Sequence, residues 1–229
     1  MSLLRKFNKH LTRFKMFLDQ SSNYSYAQEG EDRILARYFG DRKEGFYIDI
    51  GAHHPKLYSN TYLFYTRGWH GVNIDAMPGS MDVFKQLRKR DINIEAAISN
   101  TKEELTFYTF SDPALNTFSK ELADQRENPA KNHFLTGTKT ITTQPLSEVL
   151  DKVIPTNQKI DFLTIDIEGY DLNALQSLDF TKHAPELILV EVYSENLTEA
   201  PIDQFLQSKG YYLYAKAVLT CIYKRKHLK

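Results

Sequence analysis

The run GFYIDIGAHH, residues 45–54, predicts a buried strand followed at once by a tight turn. Its apolar and aromatic residues favour β structure, and such a run is typical of a strand covered on both faces. Asp49 lies near the end of this strand, and Gly51-Ala52 open the turn. A helical segment is predicted to follow from Ser59, where Ser59 or Asn60 would bond the first free amides.

A second apolar run, Val72-Asn73-Ile74, ends in Asp75 about 25 residues after Asp49, a spacing that suits a βαβ unit. Strand, small-residue turn, helix and acid-ended strand together indicate the nucleotide-binding half of a doubly wound fold. In that fold the turn lets a ligand approach the backbone, and the second acid holds the two ribose hydroxyls.

Acidic side chains also follow two later apolar runs, residues 160–165 and 186–190. Ligands of open α/β sheets bind beyond the carboxyl ends of the strands, and a buried carboxylate is costly unless something pairs with it. We therefore expect the acids at the strand ends to surround one ligand site. These acids are Asp49, Asp75, Asp166, Glu168 and Glu191.

The remaining pattern completes a doubly wound α/β sheet, mostly parallel, with helices on both faces and a C-terminal antiparallel hairpin. Helices are predicted over 29–39, 78–89, 119–126, 145–153, 170–178 and 202–207, and further strands over 92–98, 104–110, 140–143, 211–214 and 217–223. Met81, Phe84 and Leu87 are expected to face the core. Residues 111–139 are the least regular, and a long irregular insertion in a compact domain usually serves function, so we predict a substrate-facing lid there.

Residues 1–25 are predicted to form a basic, amphipathic helix and a linker, ahead of one domain that spans residues 26–229. The apolar residues of this helix recur at helical spacing opposite a basic face; they are Leu4, Phe7, Leu11, Phe14 and Leu18. The helix either packs on its own domain, packs on the second subunit of a homodimer, or makes a peripheral contact with a membrane.

The composition bounds the class of protein. The 229 residues, 41% of them hydrophobic, suffice for one well-packed domain. Nine of the 29 basic residues lie in the first 18 and last six positions, so 20 bases stand against 29 acids elsewhere. This negative body argues against a nucleic-acid partner. The single Cys221 fits a reducing compartment, and no apolar run could span a bilayer, so we expect a cytoplasmic protein, peripheral at the inner membrane face if the N-terminal helix binds lipid.

Four phrases in the chain resemble the FkbM family of S-adenosylmethionine-dependent methyltransferases, a class I family with a Rossmann-like fold. They are YIDIGAH (47–53), GVNIDAMP (71–78), EAAIS (95–99) and LTIDIEG (163–169). The first two are shared by many class I methyltransferases, and the last is the more specific.

The resemblance implies that S-adenosyl-L-methionine lies across the ends of the first strands, with Asp166 and Glu168 at the reaction centre. The implied donor contacts are Asp49, Gly51 and Ala52 for the methionine part, Asp75 for the ribose, Ala96 or Ala97 for the adenine, and Asp166 beside the reacting group.

A hydroxyl acceptor must lose a proton during methyl transfer, and the sequence offers carboxylates for this step. Asp166 and Glu168 could act directly, or could hold a divalent metal such as Mg²⁺ together with Glu191 or Asp171. A bound metal would lower the pKa of a vicinal diol. A purely structural interpretation is that Asp166 caps the next helix and Glu168 pairs with a basic side chain.

Histidines offer a second device for removing the proton. His53, His54 or His133 could serve as the general base, because imidazole titrates near neutral pH. Adjacent residues on a loop point different ways, so at most one of His53 and His54 is expected to reach a substrate.

The expected function is O-methylation of a hydroxyl on a sugar or glycoconjugate of the cell-surface polysaccharide type, with a small molecule or glycan as the acceptor. One alternative is an NAD-dependent nucleotide-sugar oxidoreductase, but His53, His54 and Pro55 stand where a pyrophosphate needs glycine. Another alternative is a non-catalytic binding module with a vestigial site. The acids at the strand ends speak against that alternative.

Overall fold

A computed structural model describes residues 24–155, 157–194 and 196–226. The strands are β1 Phe46–Ile50, β2 His70–Asp75, β3 Ile92–Glu95, β4 Ala97–Ile98, β5 Glu104–Phe110, β6 Leu135–Gln144, β7 Phe162–Ile165, β8 Leu187–Glu191, β9 Tyr211–Ala217 and β10 Thr220–Arg225. The α-helices are α1 Glu31–Phe39, α2 Tyr62–Thr66, α3 Met81–Leu87, α4 Lys120–Arg126, α5 Leu146–Val153, α6 Asp171–Gln176 and α7 Pro201–Ser208.

Seven strands form one sheet in the order β3-β2-β1-β7-β8-β10-β9. The first five in that order are parallel, whereas β10 and β9 are antiparallel and form the C-terminal hairpin. The direction of strand order reverses between β1 and β7, so their carboxyl ends flank the switch point at which open α/β sheets bind ligands. The doubly wound, Rossmann-like fold with its antiparallel hairpin is thereby confirmed.

Two apolar layers cover the central strands, one on each face of the sheet. On one face, Ile48 of β1 shares a core with Leu150 of α5. On the other face, Tyr47 of β1 shares a core with Leu35 of α1 and Phe64 of α2. Successive side chains of a strand point to opposite faces, which explains why β1 is apolar on both.

A smaller sheet, in the order β4-β6-β5, carries the insertion. Strand β5 covers the predicted 104–110 run and is antiparallel to β6. Between them the chain makes two short 3₁₀ turns and α4. Strand β6 begins at Leu135, so the irregular insertion ends at residue 134 rather than 139, and the strand predicted over 140–143 is longer.

Two local predictions were wrong. Residues 92–98 do not form one strand, because the Ala96 amide bonds the last carbonyl of β2 and the chain then turns to pair with β6. Leu87 is 54% exposed, because the core side of the two-turn helix α3 is already filled by Met81 and Phe84.

The predicted N-terminal amphipathic helix lies outside the described residues, apart from the linker at residues 24 and 25. Within the described part of the chain, no helix is both long enough and apolar enough to cross a bilayer.

Candidate active site

A cavity of about 850 Å³ opens at the carboxyl ends of the parallel strands. Gly51 follows β1, Asp75 ends β2, Asp166 follows β7 and Glu191 ends β8, and all four residues line the cavity. The insertion adds a wall that includes Arg126 of α4. The volume is typical of sites for small molecules and cofactors. The fold therefore brings most of the predicted strand-end acids to one place.

Hydrogen bonds to Asp75 fix the loop that follows β1. One carboxylate oxygen of Asp75 accepts from the His53 amide at 2.9 Å, and the other accepts from the Met77 amide at 2.8 Å. Gly51 has a φ of +80°, and a Cβ added there would lie 1.7 Å from the carbonyl oxygen of Asp166. Only glycine fits this position, because it tolerates the positive φ and leaves room between the ends of β1 and β7.

Asn60 contributes an unpaired polar atom to the cavity. Its amide nitrogen donates to the Thr164 hydroxyl at 3.0 Å, while its buried carboxamide oxygen has no partner among the described residues. Ser59, rather than Asn60, bonds the first amide of α2, since its hydroxyl accepts from Tyr62 at 3.1 Å. A buried acceptor without a donor is costly, so a ligand N–H group in the cavity would stabilise this site.

Three carboxylates cluster in the cavity. Asp166, Glu168 and Glu191 each place one oxygen within 4.8 Å of the others. The Asp166 carboxylate opens into the cavity, but protein atoms surround it on the other sides. This burial, followed by the charges of neighbouring acids, raises the pKa of Asp166 well above its usual value. Burial also raises the pKa of Glu168 and that of Glu191. Like charges held this close favour keeping a proton on the cluster.

Two side chains partner the cluster. Arg126 forms an ion pair with Glu168, and the two side chains are only 17% and 18% exposed. The Tyr193 hydroxyl donates to Glu191. Carboxylate oxygens are the ligands that Mg²⁺ and Ca²⁺ prefer, so the three acids predicted as metal ligands could hold such an ion. A bound ion would compete with Arg126 for Glu168.

Asp171 lies beneath this cluster and serves the backbone. Its carboxylate accepts from the amides of Ile167 and Gly169 at 3.1 and 3.2 Å, and burial raises the pKa of Asp171 to about 6. It does not line the cavity, which disfavours the metal role considered for it. Because Asp171 bonds the amides ahead of α6, Asp166 does not cap this helix and faces the cavity instead.

The three predicted histidines line the cavity, but their environments differ. Nδ1 of His54 accepts from the Lys56 and Leu57 amides at 3.1 and 2.9 Å. The neutral ring therefore carries its proton on Nε2, and burial, followed by the charge of His53, lowers the pKa of His54. His54 is thus suited to donating a hydrogen bond to a ligand rather than to removing a proton. A base role for His53 or His133 stays a prediction.

Four predicted donor contacts do not line the cavity: Asp49, Ala52, Ala96 and Ala97. Asp49 is 6% exposed, and its carboxylate accepts a hydrogen bond from the hydroxyl of Thr61, just ahead of α2, at 2.8 Å. Ala52 packs in the core of α3, and Ala97 packs beneath the insertion. Ala96 lines a small hollow beside the end of β2. These side chains pack against protein, and their contacts with the donor stay predictions.

The Methyltransferase FkbM domain model matches residues 49–213, which is most of the chain. The chain belongs to the FkbM methyltransferase family. The matched residues therefore form a methyltransferase domain of this family, which disfavours the NAD-dependent oxidoreductase. No curated protein matches the chain at a significant level.

Solved methyltransferase structures resemble this FkbM protein at low identity. The FkbM methyltransferase of Methylobacillus flagellatus is 15% identical with a TM-score of 0.47, over 80% of this chain and 44% of that one, so this chain spans less than half of its length. A putative RNA methyltransferase of Pyrococcus horikoshii is 12% identical with a TM-score of 0.43, over 86% and 83%. A 1,6-didemethyltoxoflavin-N1-methyltransferase of Burkholderia thailandensis, solved with 1,6-didemethyltoxoflavin and S-adenosylhomocysteine, is 10% identical with a TM-score of 0.42, over 97% and 86%. The family assignment rests on the domain match.

Among the side chains that line this cavity, sequence reasoning assigned no ligand contact to Asn60, Tyr58, Arg126 or Tyr193. Arg126 meets Glu168 across 42 positions of sequence, so no local spacing signals the pair. Asn60 stood out in the sequence only as a helix cap. For Tyr58, the sequence signal of a ligand contact was an aromatic residue placed in a polar loop.

Proposed function

We propose that this FkbM protein transfers the methyl group of S-adenosyl-L-methionine to a hydroxyl of a sugar or glycoconjugate. The observation that carries the proposal is the Asp166 carboxylate, which has a raised pKa and faces the same cavity as the loop anchored by Asp75. A base of this kind is needed for a hydroxyl acceptor, because the hydroxyl must lose its proton as the new bond forms.

The residues of the cavity fit the methyl donor. A carboxylate offers about four lone-pair sites, so Asp75 can accept from ribose hydroxyls in addition to its two amide donors. The unpaired oxygen of Asn60 requires a donor, and the ammonium group of the methionine part would supply one. When bound, the donor supplies an electrophilic methyl group on a sulfonium. The protein's own contribution is to hold the acceptor oxygen in line, which alone can accelerate transfer greatly.

Asp166 is the residue we assign to the proton. Burial and the neighbouring acids raise the pKa of Asp166, which makes its carboxylate a stronger base than that of an ordinary aspartate. The proton of the acceptor hydroxyl moves to a carboxylate oxygen of Asp166, and Glu168 and Glu191 favour the protonated product. The remaining carboxylate oxygens suit the hydroxyl groups of a sugar, since each oxygen accepts hydrogen bonds.

Mg²⁺ bound by Asp166, Glu168 and Glu191 would be a second way to activate a vicinal diol. A thermal-shift series with S-adenosylhomocysteine, with and without Mg²⁺, tests this. A ligand at 100 times its dissociation constant adds about 2.7 kcal/mol to the free energy of unfolding, so a bound ion should raise the midpoint further. Full methyl transfer in excess EDTA would exclude a required metal and leave Asp166 as the base.

The substitution Asp166→Asn tests the proposed function. Transfer of tritiated methyl to a panel of methyl glycosides and polysaccharides should fall about 10²- to 10⁴-fold, the usual contribution of a general base. Affinity for S-adenosylhomocysteine, measured by calorimetry, should change little. Asp82→Asn is the matched control, because Asp82 lies on α3 with its side chain 71% exposed. Undiminished transfer by Asp166→Asn would refute the assigned base, and donor binding without transfer to any hydroxyl would refute the acceptor class.

A further inference from the structure

The loop after β1 holds an aromatic residue, Tyr58, in an unfavourable backbone conformation. Tyr58 has a φ of +54° and is 62% exposed, yet it lines the cavity. A positive φ is a genuine outlier for a bulky residue, and such strain persists only where the surrounding structure enforces it. Two other non-glycine residues with positive φ, His53 and Glu168, line the same cavity.

Contacts from below enforce this loop conformation. The fully buried Arg88 donates to the Pro55 carbonyl at 2.9 Å and is itself held by an ion pair with Asp91. His54 closes the turn by accepting hydrogen bonds from two backbone amides, and Asp75 accepts one from the amide of His53. The loop is therefore preorganised, so the exposure of Tyr58 to the cavity is a built feature of the site.

The Tyr58 and His53 rings stack on one another and both line the cavity; we call this pair the Tyr58–His53 surface. Their planes are 23° apart and their centroids are 6.4 Å apart. The carboxylates of Asp166 and Glu168 line the same cavity. A pyranose has this same pair of properties, because its axial C–H bonds make an apolar face while its hydroxyls lie at the ring edge. The negative face of an aromatic ring attracts polarised C–H groups.

We propose that the Tyr58–His53 surface is the acceptor subsite on which a pyranose ring stacks while its hydroxyls turn toward the acid cluster. This proposal rests on the proposed function and adds the residue that selects the acceptor. Tyr58 acts by binding the sugar face, and it takes no part in moving the proton.

The test compares Tyr58→Phe, Tyr58→Ala and Tyr58→Gly with the wild type. Each protein is saturated with S-adenosylhomocysteine and titrated with methyl glycopyranosides by NMR. Loss of one aromatic contact should weaken the best glycoside about tenfold in the Ala and Gly variants, while Phe, which keeps the ring face, stays within about twofold. Affinity for S-adenosylhomocysteine should be the same in all four proteins.

Stability measurements separate a binding role from a structural one. Tyr58→Gly should be at least as thermostable as Tyr58→Ala, because glycine tolerates a positive φ. Val218→Gly is the matched control: Val218 has a φ of +43° and is 71% exposed, but it does not line the cavity, so its glycoside affinity should be that of the wild type.

Two results would overturn the subsite and leave the proposed function standing. Equal glycoside affinity in the wild type and Tyr58→Ala would remove Tyr58 from the acceptor site. A loss confined to S-adenosylhomocysteine would assign the ring to the donor. Absence of glycoside binding by the wild type would exclude the sugar class and so refute the subsite and the proposed acceptor together. Failure of the wild type to bind S-adenosylhomocysteine would instead refute the donor assignment and with it the proposed function.

Discussion

Asp49 illustrates how a buried charge at a single residue couples stability to pH. Its side chain is enclosed between β1 and α2, where the Thr61 hydroxyl donates to it. Burial raises the pKa of Asp49 to about 6, against the attraction of Arg88. The folded state therefore holds a proton that the unfolded chain releases near pH 4.

We predict that Asp49→Asn removes part of the pH dependence of stability. A folded-state pKa above the unfolded value means that the native protein binds more protons between about pH 4 and 6, so the contribution of Asp49 to stability falls as pH rises through that window. A rise of the Asp49 pKa from about 4 to about 6 corresponds to about 3 kcal/mol of unfolding free energy. Urea unfolding from pH 4 to 7 should show the free energies of the variant and the wild type diverging by roughly this amount.

The exposed acid Asp82 provides the comparison, since its side chain is 71% exposed on α3. The curve for Asp82→Asn should run parallel to that of the wild type over the same range. A curve for Asp49→Asn that is also parallel to the wild type would contradict the assignment, and would mean that Asp49 is already ionised at pH 4 in the folded protein.

At the scale of elements, the insertion contacts the acid cluster through two residues that bind Glu168. The guanidinium of Arg126 on α4 pairs with the Glu168 carboxylate, and the Thr117 hydroxyl donates to the Glu168 carbonyl at 2.7 Å. Arg126 is the neighbouring charge that opposes the raised pKa of both Glu168 and Asp166. The insertion therefore sets how readily the acid cluster loses its last proton.

We predict that Arg126→Gln shifts the activity profile to higher pH. The rate of methyl transfer rises as pH passes the pKa of the base, because Asp166 must be deprotonated to accept a proton. Loss of the guanidinium leaves the carboxylates without their positive partner, so the pKa of the cluster rises and the ascending limb moves with it. The measurement is kcat/KM against pH for wild type and variant.

Lys120→Gln is the matched control for this shift. Lys120 lies on the same helix and its removal changes the net charge equally, but its side chain is 71% exposed and pairs with Asp124. Its profile should superpose on that of the wild type. If both variants shift alike, the effect belongs to overall charge, and the specific role of Arg126 is refuted.

Some elements of the fold and the site could be predicted from the sequence, and others could not. The central strands were predictable because burial on both faces leaves a local signal, and their terminal acids marked the sheet edge. The direction of the Asp49 side chain could not be predicted, because it depends on which face of the sheet α2 covers. Nor could the pairing of Arg126 with Glu168, which the fold creates between residues far apart in the chain. Site residues supplied by distant elements leave no spacing in the sequence.

At the scale of the whole molecule, charge is distributed unevenly. The body carries 20 basic and 29 acidic residues, and the cavity itself is lined by Asp166, Glu168 and Glu191. Part of the basic C-terminal end belongs to the fold, since Lys224 and Arg225 lie in β10 and Lys224 packs over the Tyr38 ring. The body would thus be repelled by an anionic surface. The N-terminal residues hold five bases in the first 18 positions, so we expect them to supply most of the attraction to such a surface.

We predict that the full-length protein binds anionic vesicles at low salt and that removal of residues 1–23 abolishes this binding. Each basic residue near an anionic surface contributes about 1 kcal/mol, and the attraction decays within a Debye length of about 10 Å at 0.1 M salt. Co-sedimentation with phosphatidylserine vesicles measures the bound fraction, and zwitterionic vesicles should retain less. Replacing Lys6 and Lys9 by Gln should weaken binding at low salt, whereas Lys224→Gln should not. Failure of the full-length protein to bind anionic vesicles would exclude the membrane contact. It would favour packing of the N-terminal residues on the domain or on a second subunit, because their apolar side chains would otherwise be exposed to water.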